Sequence, residues 1–287
     1  MSDIDTGTDD VLATVEAGVA VLTMNRPERR NALSESMLAG LATVLAQVET
    51  DDSVRCVVLT GAGGAFCAGG DVKGMAQRGR PGADGAGSSG APEGAAGAAA
   101  SPDAAVLRQQ VSQRAVSGRL WSMPKPTIAA ISGPAAGAGL GLALACDLRY
   151  AVAGAVLTTA FARVGFSGDY GTTWFLPRLV GSGKAKELFF FSDRLSPEEA
   201  EELGIVNDVF APADFEREVM ARARRLAAGP TLAYRYMKEN LNRAVHGQLF
   251  DCMDVEVTHH GTLGATEDHR EAALAFVEKR DPVFKGR

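Results

Sequence analysis

Residues 130–147 read AISGPAAGAGLGLALACD, in which glycines stand at every second position from Gly137 to Gly141. Backbone that carries no side chains can approach a ligand closely. Where such a turn follows a strand and opens a helix, its first amides are unpaired and lie at the positive end of the helix dipole. The pattern predicts a site for an anion or a developing oxyanion, the alternative being that the glycines serve only close helix packing.

A dinucleotide-binding loop is the other chemistry that a glycine-rich turn can serve. Its fingerprint is GxGxxG, followed about twenty residues later by an acidic side chain. Here Leu142 occupies the place of the third glycine, and the later region reads LTTAF at 157–161, without an acid. The sequence therefore disfavours a dinucleotide site.

A second turn of small residues, GAGGAFCAGGDVKGM, spans 61–75 and follows the apolar run VRCVVLTG. It again places small residues between a predicted strand and a predicted helical turn. We expect the two glycine-rich turns to face each other.

Short strands and helical stretches must position these turns. Alternating residues on both sides of Ala17 and Gly18 predict a β-hairpin, and Ser34 is the expected N-cap of a helix with apolar residues at helical spacing. Apolar runs at 54–61, 126–133 and 148–160 predict later strands. The fold class is therefore α/β. Ser196 and Glu199 form a capping box, and the chain is mainly helical from about Asp214.

We accordingly expect a core over residues 1–211 and a helical C-terminal region over 212–287. Within the core, residues 78–104 read RGRPGADGAGSSGAPEGAAGAAASPDA and offer almost no large apolar side chain to bury. Such a segment cannot offset its ordering entropy, which predicts a flexible Gly/Ala-rich insertion. A lid over the site is the alternative.

Composition limits the possible partners. The 287 residues are 46% hydrophobic and carry a formal net charge of −6, which gives no long-range attraction to nucleic acid or to an anionic membrane. Neither is expected as a partner. The four cysteines lie far apart and are predicted to be reduced core thiols. The polar, acidic start and the lack of a long apolar run predict a cytoplasmic protein.

Several further motifs occur in a recognisable order. NRPERRNAL at 25–33 and the turn at 61–75 precede FLPRLVGSGKAKEL at 175–188, LSPEEAEELGIVNDVF at 195–210 and EAALAFVEKRDPVFKGR at 271–287. With them the chain resembles the crotonase superfamily, the enoyl-CoA hydratase/isomerase family, over nearly its whole length. The resemblance implies a crotonase (ClpP-like) spiral of ββα units, with a helical C-terminal subdomain that builds homotrimers or dimers of trimers.

The resemblance also implies an acyl-CoA thioester as substrate, with coenzyme A carried as part of it and no separate cofactor. By motif position, the thioester oxygen would sit between the backbone amides of Ala68 and Ala138. Two preorganised amides stabilise the enolate that forms when the acyl chain loses a proton or gains a nucleophile. Losing one such donor typically costs about 2.7–4 kcal/mol.

The sequence departs from the hydratase pattern at both acid/base positions. Hydratases of this family carry two glutamates that position and activate water, and the matching residues here are Gly141 and Phe161. Neither residue can transfer a proton. Asp169 instead stands where some isomerases of the superfamily carry a catalytic aspartate. Its alternatives are a structural role, capping the next helix through the amides of Gly171 or Thr172, and a nucleophilic role.

Contacts to coenzyme A follow from the resemblance alone. Arg29 and Arg30 match positions near the CoA phosphates, although both could equally be solvated surface side chains. Other matched positions surround the adenine and pantetheine: Ala32, Ala68, Gly70 and Asp71, with Lys73 adding positive charge nearby. Phe276 and Lys279 match positions on a C-terminal helix that approaches CoA from a neighbouring subunit, although helix packing would also explain Phe276.

No metal site is expected, because the adjacent His259 and His260 would point about 100° apart on a helix. The sequence thus predicts an acyl-CoA enzyme, with double-bond isomerisation by Asp169 as the favoured reaction. The alternatives are a hydratase that lacks the usual glutamate pair and a catalytically silent acyl-CoA-binding protein.

Overall fold

The structure is a computed structural model that describes residues 1–71 and 102–287. Residues 78–101 of the predicted insertion at 78–104 lie outside the described residues, and so does Lys73. From Pro102 the described chain is helical, so the last three residues assigned to the insertion belong to a helix instead.

Nine strands form the sheets of the described chain. They are β1 (Ser2–Asp3), β2 (Val11–Glu16), β3 (Val19–Met24), β4 (Cys56–Gly61), β5 (Thr127–Ile131), β6 (Ala135–Ala136), β7 (Leu148–Val152), β8 (Leu157–Thr158) and β9 (Asp208–Phe210). Seven make one sheet in the order β1-β2-β3-β4-β5-β7-β9, antiparallel up to β3 and parallel beyond it. The remaining pair, β6 and β8, is parallel.

The helices follow the strands as an α/β chain requires. They are α1 (Glu35–Thr50), α2 (Pro102–Gln113), α3 (Arg119–Ser122), α4 (Ala138–Leu144), α5 (Thr172–Phe191), α6 (Pro197–Glu202), α7 (Phe215–Ala227), α8 (Thr231–Ala244), α9 (Leu249–Gly264) and α10 (Glu267–Glu278). A π-helical turn over Arg114–Gly118 joins α2 to α3.

Local signals set the first elements, as expected. The β2–β3 hairpin turns at Ala17 and Gly18, whose φ angles of 49° and 78° are both positive. Two positive φ angles match the twist of a two-residue hairpin loop. Helix α1 begins after Ser34, whose hydroxyl accepts a 3.0 Å hydrogen bond from the Met37 amide. The predicted capping box of α6 is also present.

A second, shorter layer runs beside the sheet where successive coils of the chain meet. Leu33 pairs with Gly70, Cys67 with Ala135, and Ala135 in turn with Leu157 of β8. Each coil thus contributes a strand to the main sheet, then a short stretch to this layer, then a helix. This is the spiral of ββα units that the crotonase fold requires, so the predicted fold class is confirmed.

Both faces of the sheet are covered because alternate strand residues point to opposite sides. On one side, residues such as Leu22, Leu59 and Ile131 pack against α1 and α4 in the larger core. On the other side, Val58 and Ile128 belong to a smaller cluster with residues of α7. Helix α7 lies beyond position 211, yet it closes the second face of the sheet.

Helices α8 to α10 sit outside these two clusters and are fastened by polar contacts. Lys238 of α8 donates to Asp147 at 2.8 Å and to the carbonyl oxygens of Leu120 and Lys125. At the chain end, the buried Asp268 carboxylate accepts from the amides of Lys285 and Gly286. These contacts fix the C-terminal helices against the core while many of their large apolar side chains, such as Leu241 and Phe250, stay exposed.

Gly139 gives a test of how the coils pack. A side-chain carbon there would overlap the carbonyl of Cys67, whereas one at Gly183, an exposed position in α5, would meet nothing within 4 Å. Gly139→Ala should therefore lower the free energy of unfolding by about 1–3 kcal/mol through overpacking. Gly183→Ala, the control, should leave it unchanged or raise it slightly. Urea unfolding of both variants measures this, and equal stabilities would contradict the packing described.

Candidate active site

The two glycine-rich turns meet at the short layer, as the sequence predicted. The Cys67 amide donates to the Pro134 carbonyl at 3.1 Å, and the Ala136 amide donates to the Cys67 carbonyl at 2.9 Å. A Cβ on Gly69 would lie 2.7 Å from the Ala136 oxygen and 3.5 Å from the Ala138 nitrogen. Glycine is needed at this contact because backbone packs directly on backbone.

The structure corrects the expectation for Ala68. Its amide donates a 3.0 Å hydrogen bond to the Arg30 carbonyl, so its proton is already in use. Two residues further on, the amide of Gly70 donates no hydrogen bond to any described residue. Gly70 is half-buried and directly follows the glycine that abuts Ala138. The unpaired donor on this turn is therefore Gly70 rather than Ala68.

Ala138 supplies the unpaired amide of the other turn. It is the first residue of α4 and follows Gly137, whose φ of 53° turns the chain into the helix. Intrahelical bonding starts only at Gly141, whose amide donates to the Gly137 carbonyl. Within the described chain the amide of Ala138 has no acceptor. Unpaired first-turn amides carry the positive end of the helix dipole.

The first glutamate position of a hydratase is filled by neighbouring residues. A Cβ at Gly141 would lie 2.5 Å from the Thr172 hydroxyl oxygen and 3.2 Å from the Cβ and carbonyl oxygen of Tyr170. A glutamate would not fit here unless these residues moved. Glycine at position 141 in place of glutamate is thus accompanied by Tyr170 and Thr172, which occupy the space that the glutamate side chain would need.

The second glutamate position is apolar. Phe161 is 5% exposed, and its ring stacks on that of Phe189 at a centroid distance of 5.7 Å and an interplanar angle of 7°. This stacked pair offers no acceptor or donor for water. Both positions that would handle water in a hydratase therefore lack a proton-transferring group.

Asp169 carries an unpaired carboxylate. Its Oδ1 atom is buried and has no hydrogen-bond partner among the described residues. Burial raises the pKa of this carboxyl from 3.8 to about 6, because desolvation disfavours the charged form. A carboxyl group with a pKa near neutrality can both accept and return a proton at physiological pH.

The backbone around Asp169 is unusual and ties it to α4. Gly168, Tyr170 and Gly171 have φ angles of 128°, 46° and 78°. A positive φ at a tyrosine costs energy and persists only where other contacts enforce it. Tyr170 also abuts Gly141 of α4, and the Asp169 charge contributes to the raised pKa of Cys67. Asp169 therefore lies at the same junction as the unpaired amides.

The proposed capping role of Asp169 does not hold. The amide and the hydroxyl of Thr172 donate to the backbone carbonyl of Asp169, at 3.0 and 2.8 Å, rather than to its side chain. The N-terminus of α5 has no side-chain cap. The carboxylate is thus left free for another role.

The positions matched to CoA contacts differ in their surroundings. Arg29 and Arg30 are exposed and form no ion pair with the described residues, whereas Ala32 is buried. Asp71 lies 3.9 Å from the guanidinium of Arg26. Gly70 and Asp71 thus adjoin the 25–33 segment, as expected of one binding surface.

Phe276 and Lys279 form no hydrogen bond or ion pair with this surface in the described chain. Phe276 is 86% exposed on α10, and Lys279 ends that helix with a φ of 55°. Neither side chain bonds to the 25–33 segment or the 61–71 segment of the described chain. Within one described chain no polar contact joins them to the other positions matched to CoA.

Sequence reasoning missed two residues that build the site. Asn31 is fully buried: its amide nitrogen donates to the carbonyls of Ala62 and Ala65, and its oxygen accepts from the Arg26 amide. Arg26 itself donates to the Ala32 carbonyl at 2.8 Å. The only hint in the sequence was their place in NRPERRNAL, since asparagine tolerates the positive φ of 56° found at position 31.

Other site types find no support in the described residues. Across 1–71 and 102–287, no group of three potential metal ligands comes together. Nor is any helix in these two ranges both long and apolar enough to cross a bilayer. The three cysteines on strands and turns of the core, Cys56, Cys67 and Cys146, are buried, which raises their pKa to about 12.

Comparison with known proteins agrees with this geometry. The family described as Enoyl-CoA hydratase/isomerase matches residues 14–92 and 81–287. The chain is 37% identical to 1,2-epoxyphenylacetyl-CoA isomerase of Escherichia coli over 277 residues, 96% of this chain and 98% of that protein. It is 35% identical to 4-chlorobenzoyl coenzyme A dehalogenase-2 of Arthrobacter over 240 residues, 84% and 80% of the two chains.

A solved structure of enoyl-CoA hydratase from Bacillus anthracis superposes with a TM-score of 0.84 at 31% identity, covering 97% of this chain and 100% of that one. Fold and site thus define a crotonase-fold protein in which two glycine-rich turns meet. The chain belongs to the enoyl-CoA hydratase/isomerase family. Its relatives are named for three different reactions, so membership alone does not fix the chemistry.

The pKa of Asp169 predicts a pH-dependent stability. Because the folded pKa of about 6 lies above the ordinary 3.8, this carboxyl stabilises the folded state most below about pH 4, and the contribution is lost as pH rises to about 6–7. Asp169→Asn removes this titration. Relative to wild type, the variant should gain on the order of 1–3 kcal/mol of unfolding free energy between about pH 4 and 7.

Urea unfolding at a series of pH values and one protein concentration measures this difference. Asp193→Asn, at an exposed position after α5, is the control and should show no such trend. A difference between Asp169→Asn and wild type that stays constant with pH would mean that the Asp169 carboxyl is solvated.

Proposed function

We propose that this protein is an acyl-CoA double-bond isomerase in which Asp169 moves the proton. The observation that carries the proposal is the buried carboxylate of Asp169, unpaired among the described residues. It lies near the N-terminus of α4, and the two positions that hold glutamates in a hydratase are here Gly141, in α4, and Phe161. A site with one carboxyl and no glutamate pair suits proton transfer between carbons better than activation of water.

The proposed reaction needs one base and one oxyanion site. The Asp169 carboxylate takes a proton from a carbon of the acyl chain that is activated by the thioester, and the electron pair moves onto the thioester oxygen as an enolate. The carboxylic acid then returns the proton to another carbon of the conjugated system, and the double bond has shifted. A positioned acid/base typically contributes about 10²–10⁴-fold to the rate.

We assign the oxyanion donors to the amides of Gly70 and Ala138. Support comes from their lack of any acceptor in the described chain and from the close packing of Gly69 on Ala138. We place the CoA moiety along residues 29–32 and 70–71, where the exposed Arg29 and Arg30 form no ion pair with the described residues and offer positive charge for the phosphates. Such preorganised donors act most strongly in a site that excludes water.

Hydration by a route without the glutamate pair is the second candidate, since the structural relative from Bacillus anthracis is named a hydratase. A silent acyl-CoA-binding protein is the third. Assays with enoyl-CoA thioesters of several chain lengths separate them. Hydration removes the conjugated absorbance, isomerisation creates or moves it, and a silent binder does neither.

We also propose that the C-terminal helices assemble the protein into a trimer or a dimer of trimers. Helices α8, α9 and α10 expose large apolar side chains, among them Leu241, Phe250 and Val257, each at least 70% exposed. Apolar surface of this extent is characteristic of an interface. In such an assembly, Phe276 and Lys279 of a neighbouring subunit would approach the CoA bound to this one.

Sedimentation velocity tests the assembly. The protein should run as a trimer or hexamer at micromolar concentration, and Phe250→Glu with Val257→Glu should shift it toward smaller species because charge is costly in an apolar interface. Arg108→Glu on the exposed face of α2 is the control. A stable wild-type monomer would remove both the assembly and the assigned role of Phe276.

Asp169→Asn tests the base. The variant keeps the shape of the side chain but cannot accept a proton, so turnover should fall by about 10²–10⁴-fold. Acyl-CoA affinity should stay within a few-fold because the backbone amides remain. Steady-state kinetics on a verified enoyl-CoA substrate and calorimetric binding give the two numbers, with Asp193→Asn as the matched control.

Ala138→Pro probes the oxyanion site in the same assays. Proline is tolerated at the first position of a helix, so the change removes the amide donor while circular dichroism checks the fold. The rate should fall by about 10²–10³-fold. Full activity of Asp169→Asn would instead leave the proton carrier unidentified and favour the water-based or silent alternatives.

A further inference from the structure

The Asp169 carboxylate is positioned mainly through its backbone. Its buried Oδ1 atom has no hydrogen-bond partner in the described chain, so no hydrogen bond to this atom fixes where it points. Its position therefore depends on the conformation of the peptide groups on either side. Whatever holds those peptides also sets the distance from the carboxylate to the substrate.

The peptide group between Asp169 and Tyr170 is held at both ends. Its carbonyl oxygen accepts from the Thr172 amide at 3.0 Å and from the Thr172 hydroxyl at 2.8 Å. Its N–H donates to the side-chain oxygen Oε1 of Gln113 at 2.8 Å. These contacts account for the positive φ of 46° at Tyr170, which a tyrosine would otherwise avoid.

Gln113 reaches this peptide from a distant part of the chain. It is the last residue of α2, is half-buried, and lies 57 residues before Tyr170 in the sequence. The preceding residue, Ser112, shares a 3.1 Å hydrogen bond with the Tyr170 hydroxyl. The end of α2 thus contacts Tyr170 at both its backbone and its phenol.

We propose that Gln113 is a positioning residue for catalysis: by holding the Tyr170 amide, it fixes the peptide that places the Asp169 carboxylate. The inference rests on the proposed function of Asp169 as the base. Gln113 itself forms no hydrogen bond with the Asp169 carboxylate in the described chain. Its loss should therefore act on turnover through the geometry of Asp169, since a misplacement of about 1 Å can cost 10²-fold in rate.

Three variants separate this role from a merely structural one. Gln113→Met keeps the length of the side chain but removes the acceptor. Gln113→Glu keeps an acceptor for the Tyr170 amide and adds a negative charge. Gln110→Met, at an exposed position of the same helix, is the control. Turnover should fall about 10–100-fold in Gln113→Met with KM within about threefold, recover largely in Gln113→Glu, and stay at the wild-type value in Gln110→Met.

The acidic limb of the turnover–pH profile gives a second readout. Among the described residues, the titratable groups that interact electrostatically with Asp169 are Cys67 and Tyr170. Both stay neutral over the pH range of this limb, because burial raises their pKa to about 12. In Gln113→Met a loosened, better solvated carboxyl should move the limb to lower pH. In Gln113→Glu the added charge should move it to higher pH.

Hydrogen exchange shows whether the bond itself is lost, independently of activity. Peptides that contain residues 168–172 should exchange faster in Gln113→Met and at the wild-type rate in Gln113→Glu and Gln110→Met. Faster exchange with wild-type turnover and an unmoved limb would overturn the positioning role. So would a turnover loss in Gln113→Met that leaves the limb unmoved, or unchanged exchange in that variant.

The outcome is distinguishable from failure of the proposed function. If Asp169→Asn is fully active, Asp169 is not the base and the whole proposal falls. If Asp169→Asn is inactive while Gln113→Met turns over as wild type, only the positioning role is wrong. In the double variant, Gln113→Met should lower turnover no further than Asp169→Asn alone, because the group it positions is already gone.

Discussion

The direct packing of backbone on backbone between two coils of the spiral is the contact on which the site depends. Gly139 lies on the Cys67 carbonyl and Gly69 lies on the Ala136 carbonyl, with no side chain between them. This approach brings the start of α4 beside the 67–70 turn, so that the unpaired amides of Gly70 and Ala138 occupy neighbouring positions. Larger residues at these two glycines would push the coils apart and would separate the two amides as well. The packing of the coils and the placement of these amides therefore depend on the same contact.

The second constraint is a balance between burial and support at Asp169. A buried, unpaired carboxylate is costly, and its raised pKa reports that cost. Thr172 and Gln113 bind the peptide group after Asp169 rather than its carboxyl group. The hydrogen bonds of the described chain thus stabilise the backbone here and leave the Oδ1 atom of the side chain without a partner. A carboxylate held in this way is available for proton transfer. A carboxylate paired with a donor or a positive charge would have a lower pKa and would be a weaker base.

Local features of the fold could be predicted from the sequence, because neighbouring residues set them. The turn at Ala17 and Gly18, the cap at Ser34 and the capping box at Ser196 were all predicted and are all confirmed. The unpaired amide of the 67–70 turn was misassigned because Gly69, with a φ of 89°, turns the chain between Ala68 and Gly70. The Ala68 amide therefore meets Arg30, whereas the Gly70 amide meets no acceptor among the described residues. This arrangement depends on the pairing of Leu33 with Gly70, a long-range contact that no local pattern contains. The contact between Gln113 and Tyr170 is equally non-local.

The loss of the glutamate pair is coupled to the position of Asp169 through Tyr170. Gly141 has no side chain, and Tyr170 and Thr172 fill the space that a glutamate would take. Those same two residues flank and support the peptide that carries Asp169. A glutamate at position 141 would therefore displace Tyr170 and disturb the carboxylate at 169, so it is incompatible with the present position of Asp169. One substitution cannot convert the site, and a hydratase arrangement would require the 168–172 loop to be rebuilt as well.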